Sequence, residues 1–287
     1  MTLYDLLNEG SAALQQAGDT DGENDAKLLL FEALHLDLVH FLMDRLRPLS
    51  EQDAKVQEQI RTYREMIEKR ASRIPLQQIL GSQEFMGLEF YVNEHVLIPR
   101  QDTETLVELI LNEHKEKNIS LLDVCTGSGC IAVSLAKLGG YADVTALDLS
   151  EEALKVAKSN GEKLLDHPVK FIKSDMFSAL DPENRYDVIV SNPPYIPSQV
   201  IEGLEPEVKD HEPRMALDGE PDGLKFYRIL AEEGKKYLKN GGEIYMEIGW
   251  DQAKDVTKIF ETMGFKGLRT VRDMTGNDRV VCARKEK

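Results

Sequence analysis

The sequence predicts an α/β protein in which a mostly parallel sheet of seven strands, the last of them reversed, follows a small helical domain. Three observations support this fold class. Apolar residues recur at helical spacing through the first part of the chain. From Ser120 onward, short apolar runs alternate with helical patterns, which is typical of parallel strands covered by helices. Two strand patterns near the C-terminus are joined by the short turn 275–278, which favours an antiparallel pair.

Composition and charge exclude several classes of protein. The 287 residues allow one large or two modest domains, and a hydrophobic fraction of 41% is enough for a substantial core. The 35 Lys and Arg residues against 51 Asp and Glu residues give a net charge of -16, which disfavours a protein that coats a nucleic-acid duplex. We therefore expect no direct nucleic-acid binding, and a basic or polar protein is the easier partner to reconcile with this charge.

The cysteines and the N-terminus indicate a reducing compartment. Three cysteines, without a spacing typical of metal ligands, predict neither a disulfide framework nor a zinc site. The first residues lack the basic and apolar regions of a signal peptide, and no run approaches the roughly 20 apolar residues of a membrane span. We expect a cytosolic protein that has no membrane partner.

The first eighty residues predict a helical domain. Two amphipathic helices are indicated by the apolar positions Leu3, Leu6, Leu7, Ala13, Leu14, Ala26, Leu29, Leu30, Ala33 and Leu34. A third helix is expected to begin near Ser50, as its N-cap, and to end before Pro75. The basic residues Lys69, Arg70 and Arg73 at its end either complement the helix dipole, which we favour, or contact an acidic partner.

Residues 81–100 predict a β-hairpin and a linker. Alternating apolar residues around a central glycine at 85–92 favour the hairpin, and a helix is expected from about Thr103 to Glu113. Arg100 and Glu104 could reach a ligand from the start of this helix, although an N-terminal cap explains the acidic residues equally well. The predicted domains are thus 1–80, which we expect to dock the substrate, the linker 81–100, and a catalytic domain at 101–287.

A glycine-rich turn follows the first strand of the catalytic domain. The strand pattern 119–124 runs into Cys125-Thr126-Gly127-Ser128-Gly129 and then into the helix 131–138. Gly127, Gly129 and Ala132 match a Gly-x-Gly-x-x-Ala turn, in which missing side chains let a ligand approach the backbone at a helix N-terminus. The match alone is a weak signal.

An acidic residue closes the second strand. Asp148 follows the strand pattern 144–147 and lies nineteen residues past Gly129, where a carboxylate can accept hydrogen bonds from both hydroxyls of a ribose. The alternative is that Asp148 caps the next helix, a role for which Ser150 and Glu151 compete. We favour ribose binding, and with it an adenosine-containing ligand.

The next two strands bring further loops to the same edge of the sheet. The strand pattern 169–172 is followed by the segment 173–177, which contains Met176, and the strand pattern 186–190 leads to Asn192. Met176 or Phe177 either packs on an adenine ring or belongs to the core, and the sequence does not decide between these alternatives.

The stretch Asn192-Pro193-Pro194-Tyr195 offers a site for a planar NH2 group. Each proline restricts the residue before it, so the carbonyl groups here are stiffly aimed. The Asn192 side-chain oxygen and the Pro193 carbonyl are two convergent acceptors, and the ring of Tyr195 lies beside them. Such a site would hold the nitrogen of an amide or aromatic amine before an electrophile, which is catalysis mainly by positioning. An ordinary turn after a strand is the alternative.

The rest of the chain predicts an acidic loop and the last strands. The segment 196–222 is too long for a simple connection and is either a lid, a docking surface for a basic partner, or a solvated loop, which we favour. A helix at 224–238, a turn at 240–242, a strand at 243–248, a helix at 252–263 and strands at 267–272 and 279–283 complete the domain.

Together these stretches resemble the peptide chain release factor N5-glutamine methyltransferase family, over nearly the whole chain. The resemblance is carried by residues 75–81, 97–100 with Thr103 and Glu104, 125–129, 146–150, 192–195, 222–224 and 247–250. Each motif is short, but their order and spacing are highly specific. The resemblance implies a class I S-adenosylmethionine-dependent methyltransferase with a Rossmann-like sheet, which methylates the glutamine of the Gly-Gly-Gln motif in class I release factors.

The resemblance also implies a set of site residues. The cofactor S-adenosylmethionine would contact Cys125, Thr126, Gly127, Ser128, Gly129, Asp148, Met176 and Asn192, and the glutamine would bind at Asn192, Pro193, Pro194 and Tyr195. No metal is implied, and we expect a monomer. Two residues depart from the commonest pattern of the family, Cys125 where glycine is frequent and Met176 where tryptophan is familiar. Both departures bear on cofactor affinity more than on the reaction. We assign no general base, since no histidine adjoins these motifs.

Three other functions compete with this prediction. An adenine-N6 nucleic-acid methyltransferase would present the same NH2 geometry to Asn192 and Pro193, but the chain has no basic stripe. A nicotinamide-dependent dehydrogenase would use the glycine turn and Asp148 but has no use for the residues at 192–195. A non-catalytic docking module that keeps the cofactor fold is the third alternative, and the presence of Asn192 and Asp148 weighs against it.

Overall fold

The computed structural model describes residues 1–50 and 52–286, which form two compact units. The first unit comprises the described residues up to Gly81, joined by the later segment Pro206–His211. The second contains the other described residues from Ser82 onward. No helix in the described part of the chain is both long and apolar enough to cross a membrane. The assignment of substrate docking to residues 1–80 stays a prediction.

The first unit is built from helices around an apolar core. Its helices are α1 (Leu3–Gln16), α2 (Gly22–Leu34), α3 (Leu38–Asp44), α4 (Ala54–Ala71) and α5 (Leu76–Leu80), to which the later α10 (Pro206–Lys209) is added. The leucines predicted to face the core are buried, and Leu6, Leu14 and Leu29 are fully so. The predicted cap Ser50 is wrong, because the side chain of Asp53 accepts the cap hydrogen bond from the Lys55 amide. The sequence analysis also missed α3 and α5, which are short.

The second unit is organised around a seven-stranded sheet. A separate hairpin, β1 (Ser82–Phe85) and β2 (Leu88–Tyr91), precedes it. The strands of the sheet are β3 (Ser120–Val124), β4 (Asp143–Asp148), β5 (Lys170–Lys173), β6 (Tyr186–Ser191), β7 (Leu238–Glu247), β8 (Lys266–Arg272) and β9 (Asp278–Arg284). Their order is β5-β4-β3-β6-β7-β9-β8, and β9 runs antiparallel to both of its neighbours. The predicted seven-stranded sheet with a reversed last strand is therefore confirmed.

Helices cover both faces of this sheet. Alternate residues of β3 point to opposite faces, so Leu121 packs with α6 (Gln101–Glu113) and α7 (Cys130–Gly139) in one apolar cluster. Leu122 belongs to the other cluster, with side chains of α12 (Lys225–Ile229) and α14 (Ala253–Thr262). α8 (Glu151–Leu164) follows β4. Because both faces are covered, all five residues of β3 are buried, and three of them are apolar.

Two predicted elements near the end of the chain differ from the structure. The expected helix 224–238 is divided into α12, a π-helical turn (Leu230–Gly234) and the short α13 (Lys235–Tyr237). The expected turn 240–242 lies inside β7, where the pairing with β6 jumps from Leu238 to Glu243 and leaves the glycines as a bulge. A Cβ atom on Gly242 would lie 3.0 Å from two backbone carbonyl oxygens, which explains why glycine is needed there.

The acidic segment 196–222 contains short helices in place of a plain loop. α9 (Ser198–Ile201) and α11 (Arg214–Leu217) belong to the second unit, whereas α10 belongs to the first. Within the second unit, the Ile196 amide donates to the Leu217 carbonyl and the Gly219 amide donates to the Ile196 carbonyl. These bonds hold the two ends of the segment together, close to Tyr195.

Candidate active site

A cavity of about 440 Å³ lies in the second unit at the carboxyl ends of β3, β4 and β6. Eight predicted site residues line it, namely Cys125, Thr126, Gly127, Ser128, Asp148, Met176, Asn192 and Pro194. The cofactor motifs and the asparagine thus meet in one place, as expected for loops at the carboxyl edge of a parallel sheet. Among the residues that the structure describes, Gly129, Pro193 and Tyr195 are predicted site residues that lie outside this lining.

The glycine turn adopts the left-handed conformations that its sequence predicts. Gly127 has φ of +55° and Gly129 has φ of +81°. A Cβ atom on Gly127 would find no atom within 4 Å, so the backbone faces open space in the cavity. A Cβ atom on Gly129 would lie 3.0 Å from the Cβ atom of Ala157 in α8. Gly127 therefore leaves room for a ligand, whereas Gly129 allows two helices to pack closely.

The two departures from the family pattern occupy strained positions. Cys125 has φ of +63° and Met176 has φ of +47°, a region that glycine adopts more readily than either residue. Their sulfur atoms lie 3.9 Å apart. The positive φ at Cys125 gives a physical reason for the glycine that is frequent at this place in the family. Both residues line the cavity.

Asp148 organises the loops around the cavity. Its Oδ2 accepts a hydrogen bond from the Gly127 amide at 2.8 Å, and its Oδ1 accepts one from the Ser150 amide at 2.8 Å. Ser150 Oγ accepts from the Ala153 amide and so caps α8. The helix cap that the sequence offered as an alternative role for Asp148 is therefore Ser150. Burial raises the pKa of Asp148, and the backbone donors oppose that rise.

Asn192 is half-buried at the end of β6, between the cavity and the helix α6. Its Nδ2 donates a hydrogen bond to Thr103 Oγ1 at 3.3 Å. Thr103 is buried and also lines the cavity. Pro193 and Pro194 are both buried, which holds the backbone of this corner against the protein interior.

Tyr195 is tied to a buried carboxyl group. Its hydroxyl donates to Glu247 Oε1 at 3.3 Å, and Glu247, at the end of β7, is 2% exposed. Burial raises the pKa of Glu247 to about 7, although the Thr103 hydroxyl, the Arg279 guanidinium and the Tyr195 hydroxyl act in the opposite direction. Burial also raises the pKa of the Tyr195 hydroxyl. The corner at 192–195 is thus hydrogen-bonded to Glu247 through Tyr195 and to Thr103 through Asn192.

Three residues with alternative roles are placed by the structure. Phe177 is buried and stacks on Tyr237 with ring centroids 5.3 Å apart, so it belongs to the core. Glu104 accepts a hydrogen bond from the Met86 amide of the hairpin. Arg100 lines the cavity and pairs with Glu212 at 2.7 Å, which combines a structural contact with access to a ligand.

Sequence analysis missed several residues of the cavity wall. They include His95, Val96, Pro213, Met215, Ala216 and Phe226. His95 precedes the motif 97–100 by two residues and lines the cavity, so the expectation that no histidine adjoins the site motifs is wrong. The residues at 213–216 come from the acidic segment and carry no binding motif of their own. The apolar residues among them could have indicated this position, because apolar side chains within a polar segment often contact a ligand or another part of the protein.

The lining of the cavity fits S-adenosylmethionine. The Asp148 carboxylate can accept from sugar hydroxyls, and the open space beside Gly127 leaves room for a ligand against the backbone. Val96, Leu149 and Phe226 supply apolar walls for a flat ring. A seven-stranded sheet with a reversed last strand and this site at its carboxyl edge define a class I S-adenosylmethionine-dependent methyltransferase.

Comparisons with known proteins agree with this class and identify the family. A methyltransferase domain model matches residues 115–278, and a PrmC N-terminal domain model matches residues 5–81. The release factor glutamine methyltransferase of Clostridium botulinum is 40% identical over 99% of this chain and 100% of its own length. That of Geobacter sulfurreducens is 40% identical over 99% and 96%, respectively. The chain belongs to the release factor glutamine methyltransferase family.

A solved structure supports the fold alone. A methyltransferase from Pyrococcus furiosus superposes with a TM-score of 0.54 at 19% identity, covering 77% of this chain and 100% of that one. The likeness at such low identity concerns the arrangement of the sheet and helices. The predicted fold class, enzyme class and cofactor are thus confirmed together with the family.

Proposed function

We propose that this enzyme transfers a methyl group from S-adenosylmethionine to the side-chain amide nitrogen of the glutamine in the Gly-Gly-Gln motif of class I release factors. The single observation that carries this proposal is the position of Asn192 in the wall of the cofactor cavity, beside Pro194. Both relatives described above are named release factor glutamine methyltransferase. The family thus supports a release factor as the substrate, and the corner at 192–195 supports an amide NH2 group as the site of methylation.

The residues of the corner bind and orient the amide. When bound, S-adenosylmethionine supplies a methyl group that is already activated for transfer. The Asn192 Oδ1 and the Pro193 carbonyl accept the two hydrogens of the glutamine NH2 group, and the rigid prolines keep these acceptors aimed. An amide nitrogen is a weak nucleophile, so its orientation contributes several kcal/mol of the acceleration. The amide proton becomes acidic on methylation and leaves to water, which requires no dedicated general base.

The first test removes the carboxamide of Asn192. We expect Asn192→Ala to lower methyl transfer to a purified release factor at least about a hundredfold, because the amide is no longer oriented. Binding of S-adenosylmethionine, measured by calorimetry, stays close to that of the wild type. Mass spectrometry of the release factor locates the added methyl group on the glutamine. Asn118→Ala, at an exposed turn, is the matched control and keeps full activity.

The same assay separates this function from its nearest rival. An adenine-containing DNA duplex with labelled cofactor replaces the release factor in a parallel reaction. The net charge of -16 gives a physical reason to expect no transfer to DNA. Transfer to DNA with none to the release factor would overturn the proposal, as would an Asn192→Ala enzyme with wild-type turnover. A monomeric state and a cytosolic location stay predictions.

A further inference from the structure

Glu247 is a buried acidic group that the proposed reaction does not use. It is 2% exposed, at the end of β7, and one of its oxygens accepts from the Tyr195 hydroxyl. Its other oxygen, Oε2, is buried without a hydrogen-bond partner among the described residues. The Thr103 hydroxyl interacts with the same carboxyl group and lowers its pKa. A buried carboxylate oxygen in this state favours turning that rotatable hydroxyl hydrogen toward it.

Thr103 connects this carboxyl group to the substrate site. Its Oγ1 lies 3.3 Å from the Nδ2 of Asn192. A hydroxyl has one hydrogen, so when Thr103 donates to Glu247 it has only lone pairs to offer to Asn192. The group of Asn192 that faces Thr103 must then be the NH2 group, and the carboxamide oxygen is left for the substrate.

The direction of these hydrogen bonds decides how Asn192 can work. A carboxamide can rotate by half a turn and exchange its oxygen and nitrogen with little change in shape. In the reversed orientation, the Asn192 NH2 group would face the NH2 group of the glutamine, and two donors cannot bind each other. An ionised carboxylate only accepts hydrogen bonds, so Thr103 donates to Glu247 and Asn192 donates to Thr103.

We propose that Glu247, acting through the Thr103 hydroxyl, fixes the orientation of the Asn192 carboxamide so that its oxygen receives the substrate amide. This inference rests on the proposed function. Glu247 and Thr103 are positioning residues, since neither is assigned a contact with the reacting atoms. Glu247 also accepts from Tyr195 and therefore holds the corner at 192–195 from both ends.

The test compares two substitutions of Thr103 that differ in the hydroxyl group. Thr103→Val keeps the shape and removes the hydroxyl, whereas Thr103→Ser keeps the hydroxyl and removes the methyl group. We expect Thr103→Val to lower kcat for release factor methylation about tenfold, because one orienting hydrogen bond is lost. Thr103→Ser stays within about threefold of the wild type. Affinity for S-adenosylmethionine and the thermal midpoint are measured for both variants and are expected to stay near the wild-type values.

The pH profile supplies a readout that a purely structural role would not change. Glu247 is ionised above about pH 7. Below this value the protonated carboxyl group can itself donate to Thr103, so the orientation of the Asn192 carboxamide is no longer fixed. We therefore expect kcat of the wild type to fall as the pH drops through this value. Glu247→Gln is expected to flatten this dependence between about pH 6 and pH 8. The titratable groups that face Glu247 are Asp102 of α6, Cys130 of α7, Tyr195, Tyr227 of α12 and Arg279 of β9.

The outcomes distinguish this inference from the proposed function. A wild-type enzyme that binds the cofactor but methylates no release factor removes the proposed function, and the inference with it. An active wild type with an equally active Thr103→Val variant removes the inference alone. Equal losses in Thr103→Val and Thr103→Ser would assign the effect to packing and also overturn it.

Discussion

Asp148 shows how one side chain serves both the fold and the ligand. Its two oxygens accept backbone hydrogen bonds from Gly127 and Ser150, and the same carboxylate lines the cavity. Each carboxylate oxygen has a second lone pair, so these bonds leave acceptor capacity for sugar hydroxyls. A substitution at this position therefore perturbs the loop and the ligand contact together, and a test must separate the two effects.

An analogue of the cofactor separates them. We expect the wild type to bind S-adenosylhomocysteine at least about tenfold more tightly than an analogue that lacks both ribose hydroxyls, because hydrogen bonds to a charged group are lost. In Asp148→Ala this preference disappears, and both ligands bind weakly. Calorimetry measures all four affinities. Asp166→Ala, with a side chain that is 99% exposed, is the control and keeps the preference.

A persistent preference in Asp148→Ala would contradict the ribose role. The residue would then act only by holding the loop. The sequence predicted this position from the distance between Gly129 and Asp148, because the distance reflects the length of one helix and one strand. It could not decide which of Asp148, Ser150 and Glu151 caps the helix, because that choice depends on the path of the backbone after the strand.

At the scale of elements, two glycines allow the segment after α11 to pass behind Tyr195. A Cβ atom on Gly219 would lie 2.8 Å from the Cα atom of Tyr195, and one on Gly223 would lie 2.4 Å from the Tyr195 carbonyl oxygen. Gln252 Nε2 donates to that carbonyl at 2.9 Å and to the Gly223 carbonyl at 3.3 Å. The turn after β7 and the end of the acidic segment thus hold the backbone of Tyr195 in place.

This arrangement predicts a selective loss of activity in Gly223→Ala. Gly223 has φ of +70°, so the substitution adds backbone strain, and its Cβ also displaces the Tyr195 carbonyl and the Gln252 amide. We expect methyl transfer to fall at least about tenfold while cofactor affinity changes little, since a misplacement near 1 Å can cost more than that. Steady-state kinetics and calorimetry measure the two quantities.

Gly276→Ala is the matched control for backbone strain. Gly276 has φ of +89°, and a Cβ atom there would meet no atom within 4 Å. We expect this variant to lose some stability and to keep its activity. If the two variants lose activity equally, the strain of the backbone and not the crowding at Tyr195 would be responsible.

The elements of the sheet were largely predictable, whereas those of the acidic segment were not. The strands of the sheet are apolar runs separated by turn residues, and such local signals survive in the folded protein. The short helices α9, α10 and α11 depend on contacts elsewhere in their units. The bulge at 240–242 follows from pairing between β6 and β7, which local sequence does not encode.

At the scale of the whole molecule, an ionic cluster stabilises the first unit. Arg70 is 8% exposed and pairs with Asp19 at 2.9 Å, with Asp25 at 2.7 Å and with Glu207 at 2.9 Å. Glu207 belongs to the later segment that joins this unit, and it also pairs with Arg73. Arg70 is thus a buried partner of three carboxylates, so the expectation that it serves the helix dipole describes the lesser part of its role.

Removal of this charge should destabilise the protein strongly. Arg70→Met leaves Asp19 and Asp25 buried without their cation, and we expect a loss of about 3–5 kcal/mol in the free energy of unfolding at neutral pH. Burial raises the pKa of Asp25, so protonation relieves part of the repulsion and the loss becomes smaller in acid. Urea denaturation at two pH values measures both effects.

An exposed ion pair provides the comparison. Arg64 and Glu9 form a salt bridge with side chains that are 48% and 47% exposed. Arg64→Met is expected to change the free energy of unfolding by less than about 1 kcal/mol, because solvent screens the pair. Similar effects of the two substitutions would show that burial does not strengthen the Arg70 cluster.

The sequence by itself determined the class of fold, the family, and the residues that meet at the carboxyl edge of the sheet. These features depend on short motifs in a fixed order, and each motif carries its own backbone preference. The tertiary structure alone decided which cavity residues come from distant segments, that Phe177 is core while Met176 lines the cavity, and that Thr103 contacts Asn192 while Glu247 contacts Tyr195. The reason is physical. Burial and the direction of a hydrogen bond depend on which groups are in contact in the folded protein. The positions of those groups along the chain do not reveal these contacts.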